Sequence, residues 1–135
     1  MRSVTPTATS LAAGAASGAG LYLALEGRVR RPRLPSRDER ALLALVTTGA
    51  AVEELIWHGP AFRVLRARTG TVIAVAATSA AFALCHRPAS RGDAIRLGAV
   101  GSTLAATAIA KGCLSALAAH VAYDLLVVLR AECDR

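Results

Sequence analysis

The apolar residues of this 135-residue chain are collected in five long runs, most of them separated by arginine clusters. An α-helix needs about 20 predominantly apolar residues to cross the hydrocarbon core of a bilayer. A soluble domain would instead spread its apolar residues in amphipathic stripes. The sequence therefore predicts an all-α fold, an integral membrane bundle of about five helices whose last four form the core. The predicted segments are 9–25, 41–58, 71–85, 94–110 and 113–129.

An arginine-rich stretch follows the first segment. Residues 28–40 hold six arginines together with Pro32 and Pro35. Such a positive block resists translocation, so the first segment is interpreted as a retained helix and not as a cleaved signal peptide. We divide the chain into an N-terminal membrane helix with its cytoplasmic linker, 1–40, and a membrane domain, 41–132.

The remaining arginines indicate a topology. Counting basic residues places three regions in the cytoplasm by the positive-inside rule: 26–40, 87–96 and 130–135. The outer stretch 59–70 also carries arginines, and Phe62 and Leu65 lie between them, which is typical of a short interfacial helix. We expect a multi-pass protein of a bacterial inner (cytoplasmic) membrane.

Composition argues against two other classes. The chain has a formal charge of +7 but only 4% aromatic residues, and its arginines border apolar runs, so we expect no nucleic-acid partner. The cysteines, Cys85, Cys113 and Cys133, contain no Cys-x-x-Cys pair and are interpreted as small hydrophobic residues. Gly98 and Gly101 are expected to let the fourth segment pack closely against its neighbours.

Six ionisable residues lie inside or at the ends of apolar segments: Glu53, Glu54, His58, His86, His120 and Asp124. A charge at the centre of a membrane helix costs about 2.5 to 3.5 kcal/mol, so such side chains normally face a shared polar cavity. Residues four apart lie on one helix face, which pairs His120 with Asp124 and Glu54 with His58. Each pair is also compatible with a purely structural role in holding helices together.

Three short motifs carry a family resemblance. Residues 53–59, Glu-Glu-Leu-Ile-Trp-His-Gly, resemble the Glu-Glu-x-x-x-Arg-Gly signature of the CAAX protease and bacteriocin-processing (CPBP, Abi) intramembrane proteases. Residues 82–86 resemble the Phe-x-x-x-His signature of that family, and 120–124 resemble its His-x-x-x-Asn/Asp signature. The resemblance covers about 41–132. Relatives usually have more membrane helices, so we expect a short form.

The resemblance implies an intramembrane endopeptidase that acts on a peptide or membrane-protein substrate in the lipid bilayer. Glu53 would be the general base for the attacking water, with His86 beside it. His120 and Asp124 would complete the catalytic set, either as metal ligands or as stabilisers of the oxyanion. Three further residues would surround these four and hold them in position: Glu54, His58 and Phe82. A homo-oligomer would let a second copy supply helices.

Two departures from the signatures affect the expected mechanism. His58 replaces arginine, so Glu54 has a titratable partner instead of a permanently charged one. Asp124 stands where asparagine is common, and a carboxylate beside imidazoles suits zinc better than it suits an oxyanion. The sequence therefore favours a divalent metal, zinc, held by Glu53, His86, His120 and Asp124. The alternative is a non-catalytic helical membrane scaffold or immunity-like binding protein that retains the polar cluster.

Overall fold

The computed structural model describes residues 8–27 and 36–131, and these residues form helices joined by short connections. The helices are α1 (Ala8–Glu26), α2 (Arg37–Trp57), α3 (Pro60–Thr69), α4 (Thr71–Cys85), α5 (Arg91–Lys111) and α6 (Cys113–Ala131). The predicted all-α bundle is confirmed, and each of the five predicted segments matches one of the longer helices. Pro32, Pro35 and Cys133, together with most of the predicted linker, lie outside the described residues.

The stretch predicted as an outer interfacial element is a helix. α3 follows Gly59, and Pro60 is its first residue. The helix ends before Gly70, whose φ of 84° suits glycine. A Cβ on Gly59 would lie 2.2 Å from the carbonyl oxygen of Leu55, so only glycine fits between α2 and α3. Phe62 is the buried residue of α3, while its arginines are exposed.

The start of α2 lies four residues before the predicted one because of a capping box. The Ser36 hydroxyl accepts from the Glu39 backbone N–H at 3.2 Å, and the Glu39 carboxylate accepts from the Ser36 backbone N–H. Each bond satisfies a helix-terminal donor that would otherwise lack a partner. The Ser-x-x-Glu spacing was therefore a readable start signal.

Within residues 8–27 and 36–131, two helical stretches are long and apolar enough to cross a membrane: Ala8–Glu26 and Arg37–Thr69. Thr71–Cys85 and Cys113–Leu129 are shorter apolar helices. Many large apolar side chains are exposed, for example Leu45 at 70% and Val72 at 81%. Such an apolar exterior is what a bundle in contact with lipid presents.

α6 is the central helix, and it packs against α1, α2 and α5. Its contact with α1 is the most extensive, because glycines let the two backbones approach closely. A Cβ on Gly14 would lie 2.2 Å from the carbonyl oxygen of Ser115, and one on Gly18 would lie 1.9 Å from that of Ala119. This Gly-x-x-x-Gly spacing is a known membrane packing signal, and the sequence interpretation overlooked it.

α5 packs most extensively against α4 and also contacts α6 and α1. Gly101 packs tightly here as predicted, since a Cβ would lie 3.1 Å from the Ser79 Cα. Gly98 does not, because nothing lies within 4 Å of its Cβ position. The main apolar core lies between α1, α4, α5 and α6, and its buried residues include Tyr22, Phe82 and Leu104.

Candidate functional site

The ionisable residues that the sequence places in apolar segments come together where the C-terminal ends of α2 and α4 lie beside the middle of α6. Glu53 and Glu54 lie in the last turns of α2, and His58 caps that helix. His86 caps α4, while His120 and Asp124 lie on α6. Because α6 packs against α2, its side chains reach both glutamates. The side chains form two groups that share His120.

The first group, here called the Glu54 network, consists of Glu54, His58 and His120. His58 Nδ1 donates to Glu54 Oε2 at 2.9 Å, and His120 Nδ1 donates to Glu54 Oε1 at 3.1 Å. Glu54 is 1% exposed, and both histidines are 3% exposed. Each oxygen of this buried carboxylate therefore has a partner, and the second bond ties α2 to α6.

The second group, here called the Glu53 cluster, consists of Glu53, His86, His120 and Asp124. Glu53 Oε2 lies 3.6 Å from His86 Nε2 and 3.9 Å from His120 Nε2. His120 Nε2 also lies 3.4 Å from Asp124 Oδ2. The Glu53 Oε2 atom is buried and has no hydrogen-bond partner among the described residues. This oxygen therefore has unused hydrogen-bonding capacity next to the two imidazoles.

Backbone and ring contacts fix the orientation of the imidazoles. His86 Nδ1 lies 2.8 Å from the carbonyl oxygen of Phe82, and since a carbonyl only accepts, this nitrogen carries the proton. The Phe82 ring packs against His86 with centroids 4.4 Å apart and against His120 at 5.6 Å. With both Nδ1 atoms engaged, each Nε2 faces Glu53.

A cavity of about 300 Å³ opens beside the Glu53 cluster, and all four cluster residues line it. Its other walls come from α2 and α6 and are small or aliphatic: Val46, Gly49, Ala50, Val127 and Val128. The Glu53 side chain is 33% exposed, in contrast to 1% for Glu54. The Glu53 cluster is thus accessible from outside the bundle, whereas the Glu54 network is enclosed.

The expected metal was tested against this geometry. Two imidazole nitrogens and two carboxylates are a suitable donor set for zinc, and each histidine has the Nδ1 partner typical of a ligand. Within residues 8–27 and 36–131, however, no group of three or more His, Cys, Asp or Glu side chains is arranged to hold an ion. The four side chains are of the types that bind zinc, but their positions do not form a metal site. The metal therefore stays a prediction.

The sequence interpretation missed two parts of the site. Val46, Gly49 and Ala50 line the cavity, and their positions seven, four and three residues before Glu53 mark one helix face. Cys113 contributes a weak bond from its thiol to the Glu54 carbonyl oxygen at 3.6 Å. No local sequence signal links Cys113 to Glu54, because the contact arises from the packing of α6 on α2.

Comparison with known proteins identifies one family. A family model described as type II CAAX prenyl endopeptidase Rce1-like matches residues 39–126, which is more than half of the chain. The match spans α2 through most of α6 and includes every residue of both groups. Searches of curated proteins and of solved structures gave no match.

Proposed function

Because the chain belongs to the type II CAAX prenyl endopeptidase Rce1-like family, a membrane-embedded family of proteases, we propose that it is an intramembrane endopeptidase whose water nucleophile is activated by Glu53. The observation that carries the proposal is the position of Glu53 Oε2. It is buried, lacks a hydrogen-bond partner among the described residues, and lies between two imidazole Nε2 atoms beside an open cavity.

The first chemical step is proton removal from water. A general base must lie within hydrogen-bond reach of the proton that it takes, and Glu53 Oε2 can accept from a water in the cavity. As Glu53 takes the proton, the water oxygen bonds to the carbonyl carbon of the peptide. The carbonyl π electrons move to the oxygen and give a tetrahedral oxyanion.

His120 is the best-placed group for that oxyanion. Its Nδ1 lies 3.1 Å from Glu54, and its Nε2 lies 3.9 Å from Glu53 and 3.4 Å from Asp124. Three neighbouring carboxylates stabilise a positively charged imidazole, which can donate from Nε2 to developing negative charge. Asp124 then acts through His120 and need not contact the oxyanion itself.

Collapse of the tetrahedral intermediate completes hydrolysis. The carbonyl re-forms, the C–N bond breaks, and the leaving nitrogen takes the proton that Glu53 removed from water. Glu53 returns to the carboxylate, so protons balance over the cycle. His86 Nε2, 3.6 Å from Glu53, is placed to hold the same water on the cavity side.

A divalent metal, with zinc as the expected ion, is a second form of this proposal. It would be held by the Nε2 atoms of His86 and His120 and by the carboxylates of Glu53 and Asp124. When bound, such an ion lowers the pKa of a water and polarises a carbonyl. Elemental analysis of purified protein, followed by chelator treatment, tests this form: a stoichiometric metal and activity lost with it support the metal, and full activity without metal excludes it.

The cellular setting follows the same proposal. We place the chain in a bacterial inner membrane with several crossings, where its partners are a peptide or membrane-protein substrate and the lipid bilayer. A homo-oligomeric assembly and the lack of a nucleic-acid partner are further predictions. Cysteine-accessibility mapping of α3 and of the α4–α5 connection at 86–90 tests the topology, since the two regions should label from opposite sides.

The function is tested with the full chain in proteoliposomes and a fluorescent farnesylated peptide of the Cys-aliphatic-aliphatic-Ala type. The parent should release the terminal tripeptide, and Glu53→Gln should lower kcat by about a hundredfold to ten-thousandfold, as expected for loss of a general base. Asp38→Asn makes the same chemical change on an exposed residue of α2 and should cleave like the parent. Equal cleavage by Glu53→Gln would exclude the proposed role.

A non-catalytic scaffold is the second candidate, and one observation favours it. His58 stands where the signature has arginine, and its buried Nε2 has no partner among the described residues. A scaffold would need the Glu53 cluster for packing, so Glu53→Gln would lower thermal stability and the parent would cleave nothing. If the chain is a protease, the parent should cleave the peptide and Glu53→Gln should keep its thermal stability.

A further inference from the structure

A groove of about 410 Å³ lies between α1 and α5, and we call it the α1–α5 groove. Ser17 lines it from α1, and residues between Ser102 and Lys111 line it from α5. The groove forms because glycines bring α1 close to α6, whereas α1 has only a small contact with α5. None of its lining residues belongs to the Glu54 network or to the Glu53 cluster. Its volume is in the range of about 300 to 1,000 Å³ that is usual for ligand sites.

The hydroxyl groups that line the groove already donate within the protein. Ser17, Thr103 and Thr107 each donate to the backbone carbonyl oxygen four residues earlier, at 2.8 to 2.9 Å. Ser102 donates to the Ser79 hydroxyl at 3.0 Å. Because a hydroxyl has a single proton to donate, these side chains have no donor left for a ligand. The walls therefore offer an occupant mainly van der Waals contact.

Lys111, the single lysine of the chain, is the charged residue that lines the groove. Its side chain is exposed, and its ammonium forms no ion pair or hydrogen bond with residues 8–27 or 36–131. α5 has 21 residues and ends at Lys111. At about 1.5 Å per residue, this helix is as long as the hydrocarbon core of a bilayer is thick, roughly 30 Å. We therefore expect the ammonium at the level of the lipid headgroups.

We propose that the α1–α5 groove binds an anionic phospholipid of the surrounding bilayer, with the phosphate on Lys111 and one acyl chain along the groove. Lys111 comes nine residues after Ser102, so the α5 wall is about 14 Å long. Ala106 and Ala110 line this wall, and their small side chains leave room for the chain. An unpaired cation at one end of walls without free donors matches the charge distribution of such a lipid, and basic pockets between membrane helices bind anionic headgroups.

Binding is measured on the full chain in detergent by native mass spectrometry, which counts bound lipids and copies of the chain in one spectrum. The probes are phosphatidylglycerol and phosphatidylcholine with identical acyl chains. The first phosphatidylglycerol should bind the parent about tenfold or more tightly, as expected for a hydrogen bond between charged groups. Lys111→Gln should abolish this preference, and Lys111→Arg should retain most of it. Glycerol phosphate, which has no acyl chains, should not displace the lipid.

Two matched controls separate the groove from general charge attraction. Arg91 is an exposed cation at the opposite end of α5 and does not line the groove, so Arg91→Gln should keep the preference for phosphatidylglycerol. Ala106→Leu fills the groove and should weaken binding of both lipids by about tenfold, while the preference between them remains. Ala12→Leu makes the same change on an exposed alanine of α1 outside the groove and should bind like the parent.

Equal affinity of the parent for the two lipids would overturn the inference. So would a loss of preference in Arg91→Gln as large as in Lys111→Gln, because the lipid would then follow the overall charge. If Ala106→Leu changes the number of copies and leaves lipid binding unchanged, a second copy of the chain covers the groove. If Lys111→Gln lowers only the unfolding midpoint in lipid-free detergent, the lysine acts on the dipole of α5 and not on a lipid. No readout involves cleavage, so the result is independent of the peptidase proposal.

Discussion

Glu53 and Glu54 are neighbours in the sequence and have opposite surroundings in the fold. Both oxygens of Glu54 accept hydrogen bonds from imidazoles at 2.9 and 3.1 Å inside the bundle. Glu53 faces a cavity, and its buried Oε2 has no such bond with the described residues. The two side chains diverge by about 100° around α2, which is enough to direct one into the helix interface and the other to its edge.

The difference in surroundings suits Glu54 to a structural role and Glu53 to a chemical one. A buried carboxylate with every oxygen bonded contributes to stability, and removing it leaves two imidazoles without partners. A carboxylate with an unused oxygen beside a cavity can accept a proton from a bound molecule. His120 belongs to both groups, because its Nδ1 contacts Glu54 and its Nε2 faces Glu53.

The largest effect is expected where the two groups share a residue. His120→Ala should reduce kcat by about a thousandfold or more and should also lower the free energy of unfolding by roughly 3 kcal/mol, since Glu54 loses a buried partner. Peptide cleavage and SDS-induced unfolding, followed by circular dichroism, measure the two effects. Loss of activity with unchanged stability would show that the Glu54 bond to His120 is unimportant.

The same chemical change at adjacent positions should sharpen the contrast. Glu54→Gln should lower the free energy of unfolding by about 2 to 3 kcal/mol, because an amide gives only one acceptor to two buried donors. Glu53→Gln should change it by less than about 0.5 kcal/mol, as for a substitution away from buried bonds. SDS-induced unfolding of the two variants in parallel measures both, and equal losses would contradict the division into two groups.

A smaller effect should come from the far side of α6. Gly18 packs against Ala119, the residue next to His120. A Cβ on Gly18 would lie 1.9 Å from the carbonyl oxygen of Ala119. Gly18→Val should lower the free energy of unfolding by about 1 to 3 kcal/mol, the range for overpacking. Gly20→Val is the control, since nothing lies within 4 Å of that Cβ position. Equal unfolding midpoints for the two variants would show that α1 does not support α6.

A substitution at His58 that keeps a hydrogen-bond donor should have only a small effect on stability. Its Nδ1 bonds Glu54, while its buried Nε2 lacks a partner among the described residues. His58→Gln can keep one donor to Glu54 and removes the unpaired nitrogen, so stability should stay within about 1 kcal/mol of the parent. His58→Leu should cost roughly 2 kcal/mol more, because it leaves one Glu54 oxygen unsatisfied. A thermal unfolding series in detergent ranks the three proteins, and a Leu variant as stable as the Gln variant would contradict this account.

Much of the fold could be predicted because the positions and lengths of the apolar runs indicate where the helices lie. The segment at 71–85 coincides with α4, and the arginine-bearing stretch 59–70 contains the interfacial-type helix α3. The start of α2 was missed although Ser36 and Glu39 form a capping box, since a charged first turn lies outside an apolar run. The contact of Gly14 and Gly18 with α6 was also missed, because spacing alone does not tell which helix a glycine faces.

The sequence could predict that these polar side chains lie near one another, and it could predict less about how they are arranged. Polar side chains in apolar segments had to meet, and helical spacing paired Glu54 with His58. The bond from His120 to Glu54 joins residues 66 apart in the chain and depends on how α6 rotates against α2. The ion pair between Glu26 of α1 and Arg96 of α5 likewise joins residues 70 apart in the chain.

The central position of α6 has a consequence for biosynthesis. α1, α2 and α5 all pack against this helix, which emerges from the ribosome after each of them. Membrane helices insert first and associate afterwards, so the earlier helices reach the bilayer before their common partner exists. Until α6 arrives with His120 and Asp124, the nascent protein holds both glutamates but neither group is complete, so under the proposed mechanism hydrolysis begins only after α6 has packed.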